Sequence, residues 1–137
     1  MNRMDGKVCV VTGATQGLGA AIARRLAAAG AKAVVITGRN ADRGASVARD
    51  IIDSHSVPAL FLQADFARVE DCQSVIAETD RHFGRIDVLV NAGASTARGT
   101  ILDTSPETFD ALFATNVRGP YFLMQAAIKL MIAKRIE

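Results

Sequence analysis

The sequence predicts an α/β fold, a doubly wound sheet of parallel strands. Three observations carry that prediction. Short apolar runs rich in β-branched residues recur, as in Val8-Cys9-Val10-Val11 and Ala33-Val34-Val35-Ile36-Thr37. Such runs fit strands buried on both faces. Each run is followed by a segment with helical spacing, so strand and helix alternate four times, as in right-handed crossovers between parallel strands. The third observation is the turn after the first run, where Gly13, Gly17 and Gly19 separate strand from helix.

Taken in order, the first strand opens at Val8 and an alanine-rich helix runs from Leu18 to Ala29. Gly30 follows as a left-handed cap. Ile22 and Leu26 mark the expected buried face of that helix, and Arg24 and Arg25 its outer face. The second strand is Ala33 to Thr37. Asn40 is placed to cap a helix through His55, with Val47, Ile51 and Ile52 inward and Gly44 weakening its first turns. Pro58 precedes a third strand, Ala59 to Gln63. Val69, Cys72, Ile76 and Phe83 then share one helical face, and Gly84 stops that helix. Ile86 to Val90 is the fourth strand. After a loop, one long helix is expected over residues 105–135, opened by Pro106 and a capping box of Thr104 with Glu107. Phe109, Leu112, Phe113, Val117, Met124, Ile128 and Ile132 give it a broad apolar stripe.

The 137 residues make room for one domain, residues 1–137. A formal net charge of +2 is too small to argue for a nucleic-acid or acidic membrane partner, and Arg and Lys are scattered. No window is apolar and long enough to span a bilayer. Arg3, Asp5 and Lys7 leave no room for a signal-peptide core before the first strand. Cys9 and Cys72 lie far apart on different elements. They read as reduced thiols of a cytoplasmic protein, not as a disulfide. His55 and His82 lack ligand-like neighbours, and no metal site is expected.

Strand, glycine turn and helix in that order make a phosphate cradle. Glycine permits φ > 0 and a close approach of ligand to backbone. The free N–H groups and positive end of the helix dipole then face the anion. Gly13, Thr15, Gln16, Gly17, Leu18 and Gly19 are the candidate residues of this loop. The other polar signals fall at the carboxyl ends of strands or on the last helix, and strand ends are where doubly wound sheets bind ligands. Gly38-Arg39 follows the second strand. In dinucleotide folds that point faces the adenosine ribose, where an acid binds the 2′-hydroxyl and an arginine pairs with a 2′-phosphate. Gly38 followed by Arg39 therefore favours NADP(H) over NAD(H). Asp65-Phe66 follows the third strand, with Asp65 placed either as a ligand contact or as a plain helix cap. Asn91-Ala92-Gly93 follows the fourth. Asn116-Val117-Arg118-Gly119 lies inside the long helix, where Asn and Gly cost stability relative to Ala.

T-G-x-x-x-G-x-G at 12–19, the aspartate after the third strand, D-V-L-V-N-A-G at 87–93 and N-V-x-G at 116–119 occur in that order. In this set the whole chain resembles the amino-terminal half of the short-chain dehydrogenase/reductase family. The resemblance implies a Rossmann-like fold, here truncated after four strand–helix units. It implies hydride transfer between a nicotinamide dinucleotide and a small carbonyl or alcohol. Asp65 and the Phe66 amide would meet the adenine, and Asn91, Ala92 and Gly93 would line the cofactor. Asn116 would hold a water of the proton relay through a local helix kink. The family's N-N-A-G is one asparagine shorter here, which shortens the strand–turn junction.

In the family a tyrosine moves the proton, a lysine four residues later lowers its pKa, and a serine orients the substrate oxygen. All three lie beyond the long helix. The one tyrosine of this chain is Tyr121, and Gln125 stands four residues on. The expectation is a cofactor-binding fragment of an NADP(H)-dependent oxidoreductase, inactive alone, that forms a homo-oligomer through helix 105–135. A non-catalytic nucleotide-binding module and an interaction subunit remain as alternatives.

Overall fold

A computed structural model describes residues 3–136 of the chain. Four parallel strands form a sheet in the order β3-β2-β1-β4. They are β1 (Val8–Thr12), β2 (Ala33–Gly38), β3 (Ala59–Gln63) and β4 (Val88–Asn91). The two most apolar runs take the centre. Every residue of β1 and β2 is buried, while β3 and β4 are half-buried outer strands.

The described residues form five α-helices, α1 (Gly17–Ala28), α2 (Ala41–His55), α3 (Val69–Phe83), α4 (Pro106–Phe113) and α5 (Gly119–Ala133), of which α4 buries no residue against the sheet. Strand residues alternate between the two faces. Cys9, Val11, Val34 and Ile36 meet α1 and α2 through Ala20, Ala23, Val47 and Ile51. Val10 and Val35 meet α3 and α5 through Cys72, Val75, Ile76, Leu123 and Ala127. Burying one such Ile or Leu contributes about 1.5–3 kcal/mol, so both cores are needed.

Several local expectations are corrected. α1 faces the sheet with Gly19, Ala20, Ala23 and Ala27, and Ile22 and Leu26 sit at the margin of that core. Small residues bring the helix axis close to the strands. Ile52 points outward and is 45% exposed. Gly44 is no weak point, because the Phe61 ring lies where its Cβ would be. Asn40 does cap α2, its Oδ1 accepting from the Arg43 N–H at 2.9 Å.

The helix expected over 105–135 is three segments. α4 leads into a π-helical turn, Ala114–Arg118, and then into α5. The Gly119 N–H reaches back five residues to the Ala114 carbonyl. Pro120 has no N–H to offer the Asn116 carbonyl, so the regular ladder is broken there. Ser105 caps α4 by accepting from the Thr108 N–H at 3.1 Å. Thr104 instead donates its hydroxyl to the Thr100 carbonyl at 2.7 Å. The expected apolar stripe faces outward. Phe109, Phe113, Val117, Met124, Ile128 and Ile132 are all exposed, and Leu123 and Ala127 face the sheet instead. Of the described residues, no helix is long and apolar enough to cross a membrane.

Candidate functional site

The carboxyl end of the sheet opens into a cavity of about 870 Å³. Gly13, Thr15, Gln16, Gly17, Leu18, Gly19, Arg39, Asp65, Phe66, Ala92 and Gly93 all line it. Asn91 does not. It ends β4 opposite Thr12, with its side chain exposed.

The floor is backbone packed on backbone. Gly13 and Gly17 have φ of +62° and +55°, values that favour glycine. A Cβ on Gly13 would overlap the backbone of Gly93, and one on Gly19 would overlap the Gly13 carbonyl. α1 then starts at Gly17 with no capping side chain and no acidic residue in its first turn. α2 and α4, by contrast, are capped by Asn40 and Ser105. The first amides of a helix have no partner inside it, and at α1 they lie on the wall of the cavity.

Thr12, behind the cavity lining, pins the stretch of wall made by Ala92 and Gly93. Its buried hydroxyl accepts from the N–H groups of both Ala92 and Gly93, each at 3.1 Å. β4 keeps register with β1 through the pair Thr12–Asn91. The junction with one asparagine fewer is thus pinned without a break in the ladder. Phe66 explains two more glycines. Its ring lies 2.6 Å from where a Gly93 Cβ would stand, and its carbonyl occupies the Cβ position of Gly119.

Asp65 is not a helix cap, since α3 begins after Arg68. Its Oδ1 accepts from the Ala67 N–H at 3.0 Å, and its own N–H donates to Asp71 at 2.8 Å. The turn is held at both ends, with Asp65 on the cavity wall. Asn116 lies on the π turn and grips the loop after β4. Its Oδ1 accepts from the Ser95 N–H at 2.8 Å, and its Nδ2 donates to the Ser95 carbonyl at 2.9 Å. The expected kink is present, and the partner observed is backbone.

Sequence reading missed Ser95, Thr115, Asn40 and Arg43, all of which line the cavity. Arg43 reaches from α2 to the glycine turn, where its Nη1 donates to Gln16 Oε1 at 2.6 Å. Its place three residues after the capping Asn40 was the available signal. Tyr121 is absent from the cavity wall and lines a separate shallow groove with Phe113, Val117 and Phe122. Burial, with help from Asp87 and Asp71, pushes the thiols of Cys9 and Cys72 up to about 11. Neither is poised as a nucleophile.

Residues 7–136 match the model of a family described as short chain dehydrogenase. Versicolorin reductase 1 of Aspergillus parasiticus is 38% identical over 130 residues, covering 95% of this chain and 49% of that protein. Elsinochrome reductase 1 of Elsinoe fawcettii is 37% identical over 136 residues, covering 98% of this chain and 51% of that protein. Among solved structures, L-sorbose reductase from Gluconobacter frateurii, complexed with NADPH and L-sorbose, matches with a TM-score of 0.92 at 30% identity. That match covers 96% of this chain and 50% of that one. A short chain dehydrogenase from Burkholderia cenocepacia in complex with NADP matches with a TM-score of 0.88 at 36% identity, covering 93% of this chain and 52% of that one. The chain spans about half the length of the curated relatives it matches.

Proposed function

The chain belongs to the short-chain dehydrogenase family, and we propose that it binds NADP(H) as the cofactor half of an oxidoreductase acting on a small carbonyl or alcohol. One observation carries this reading. The uncapped start of α1 opens, over a floor that admits only glycine, onto the cavity. A pyrophosphate supplies the acceptor oxygens those amides lack. We assign Asp65 and Phe66, on the cavity wall, to the adenine, and the Ala92–Gly93 backbone beside Phe66 to the remainder of the dinucleotide. The dinucleotide, when bound, supplies or accepts the hydride. This chain's own residues bind and orient it.

Preference for the 2′-phosphorylated form rests on Arg39 and Gly38. Gly38 is buried, and a Cβ there would come within 2.6 Å of the Thr15 methyl group. With glycine there, no acidic side chain stands at that point to repel the phosphate. Arg39 lines the cavity and has no carboxylate within 4.0 Å among the described residues. Asn116 keeps a second lone pair and a second N–H for a relay water beside its bonds to Ser95.

Catalysis by these residues alone is not expected. Tyr121 lies outside the cavity, and the residue four positions on is Gln125, not a lysine. The exposed stripe of Phe109, Phe113, Val117, Met124 and Ile128 favours a second copy of the chain packing along α4 and α5. Two free buried cysteines fit a cytoplasmic setting.

Calorimetric titration of NADP+ and NAD+ tests the reading. One arginine–phosphate contact contributes about 1.5–3 kcal/mol, roughly a tenfold to hundredfold preference. Arg39→Asp should erase it. Equal NADP+ affinity before and after that change would contradict the cofactor assignment.

A further inference from the structure

We infer that Arg118 is a positioning residue of the dinucleotide site, fixing from the π turn the loop assigned to the adenine. This deepens the cofactor reading and rests on the assignment of the adenine to Asp65 and Phe66. Arg118 fills the open position of N-V-x-G at 116–119. It lines the shallow groove beside α5 and stays outside the cavity. Its Nη2 donates to the Ala67 carbonyl at 2.7 Å, a tie across 51 residues of chain.

Several contacts converge on the short loop between β3 and α3. The Ala67 N–H donates to Asp65 Oδ1 at 3.0 Å, and Arg118 takes the carbonyl of the same residue. Ala67 is thus held on both sides. The neighbouring Phe66 carbonyl accepts from the Cys72 thiol at 3.7 Å and lies where a Cβ of Gly119 would stand. Glycine at 119 lets the π turn come down onto the loop, and Arg118, one residue earlier, reaches it. Asn116 reaches elsewhere. Residues two apart on a helical turn do not face each other, and Asn116 grips Ser95 on the loop after β4. Asp65, Phe66, Ala67 and Ser95 all line the cavity. One five-residue turn, Ala114–Arg118, therefore holds two stretches of the cavity wall. The charged guanidinium makes the stronger kind of hydrogen bond. A carboxylate has two oxygens, and Ala67 engages Oδ1 of Asp65, which leaves Oδ2 to accept from an adenine amino group. Hydrogen bonds weaken steeply away from good geometry, so recognition of that amino group depends on a fixed loop. Without Arg118 the loop loses its side-chain tie to the π turn.

The test is titration of the full chain with NADP+ and with its hypoxanthine counterpart, in which oxygen replaces the 6-amino group of the adenine. Both ligands carry the same phosphates, so the ratio of their affinities reads the adenine end alone. Wild type is compared with Arg118→Met and Arg118→Lys, and circular dichroism confirms the fold of each. Wild type should favour NADP+ roughly tenfold, as expected for one hydrogen bond to a charged group. Arg118→Met keeps the apolar stem without the donors, and its preference should fall to within about twofold. Arg118→Lys restores a charged donor, and its ratio should lie between the two. If Arg118→Met does not fold, Arg118→Lys decides the matter: a ratio below that of wild type supports the inference, and an unaltered ratio overturns it. If both ligands weaken equally in Arg118→Met, Arg118 is only a brace between the π turn and the sheet, and the inference is overturned. It is also overturned if Arg118→Met changes neither affinity, and in that case the cofactor reading stands. A wild-type chain that binds both ligands equally overturns the adenine assignment and this inference but not dinucleotide binding. A wild-type chain that binds neither overturns the cofactor reading as well.

Discussion

Asn116 and Ser95 are joined at two points, the carboxamide of one accepting from and donating to the backbone of the other. The clasp ties a π-helical turn to the loop that leaves β4 at the cavity rim. Each bond contributes about 0.5–1.5 kcal/mol. Asn116→Ala should therefore lower stability by about 1–3 kcal/mol and free the rim. Hydrogen exchange of residues 93–97 should speed up in this variant while exchange in β1 and β2 is unchanged. Unaltered exchange across 93–97 would show that the clasp does not hold the loop.

The glycine floor gives a steeper prediction. Gly13→Ala places a methyl group in the backbone of Gly93 at a positive φ. Strain of this kind costs on the order of 1–3 kcal/mol, before any shift of β4 is added. The thermal midpoint should fall by several degrees, and dinucleotide binding should drop below detection. A control at Gly6, whose Cβ would meet nothing within 4 Å, should leave binding intact even though its φ also favours glycine.

The order of elements was legible in the sequence because its signals are local. β-branched runs mark strands, glycines mark their ends, and Asn40 marks a cap. The cradle was legible for the same reason, since its glycines stand within seven residues of one another. What escaped depends on the third dimension. The π turn follows from a missing N–H at Pro120, and the apolar stripe from Phe109 to Ile132 faces away from the sheet. Asn91 leaves the cavity because of where β4 ends. The bond from Arg43 to Gln16 spans 27 residues, and no periodicity announces such a tie. Phe66 could be placed at the site from its position, but its packing under Gly93 and Gly119 could not.

Acid should unfold the chain partly through Asp87. Burial alone would raise its pKa, but bonds from Arg85 and the Val8 N–H, with Arg85 and Lys7 charges nearby, hold it below the usual carboxylate range. The folded pKa is thus below the unfolded value near about 3.9. Its stabilisation is complete above that value and is lost as pH falls through the folded pKa. Asp87→Asn should flatten the decline in urea midpoint below about pH 4, and it should also lower the midpoint at pH 7. An unchanged acid limb in the variant would remove Asp87 from the account.

The central claim is that the amides opening α1 hold a dinucleotide pyrophosphate. Amide chemical shifts of Gly17, Leu18 and Gly19, followed by 15N-edited NMR during addition of NADP+, test it most directly. Saturable shifts at these three amides, absent in Gly19→Ala, are the predicted result. Shifts confined to other parts of the chain, or none at all at saturating NADP+, would contradict it.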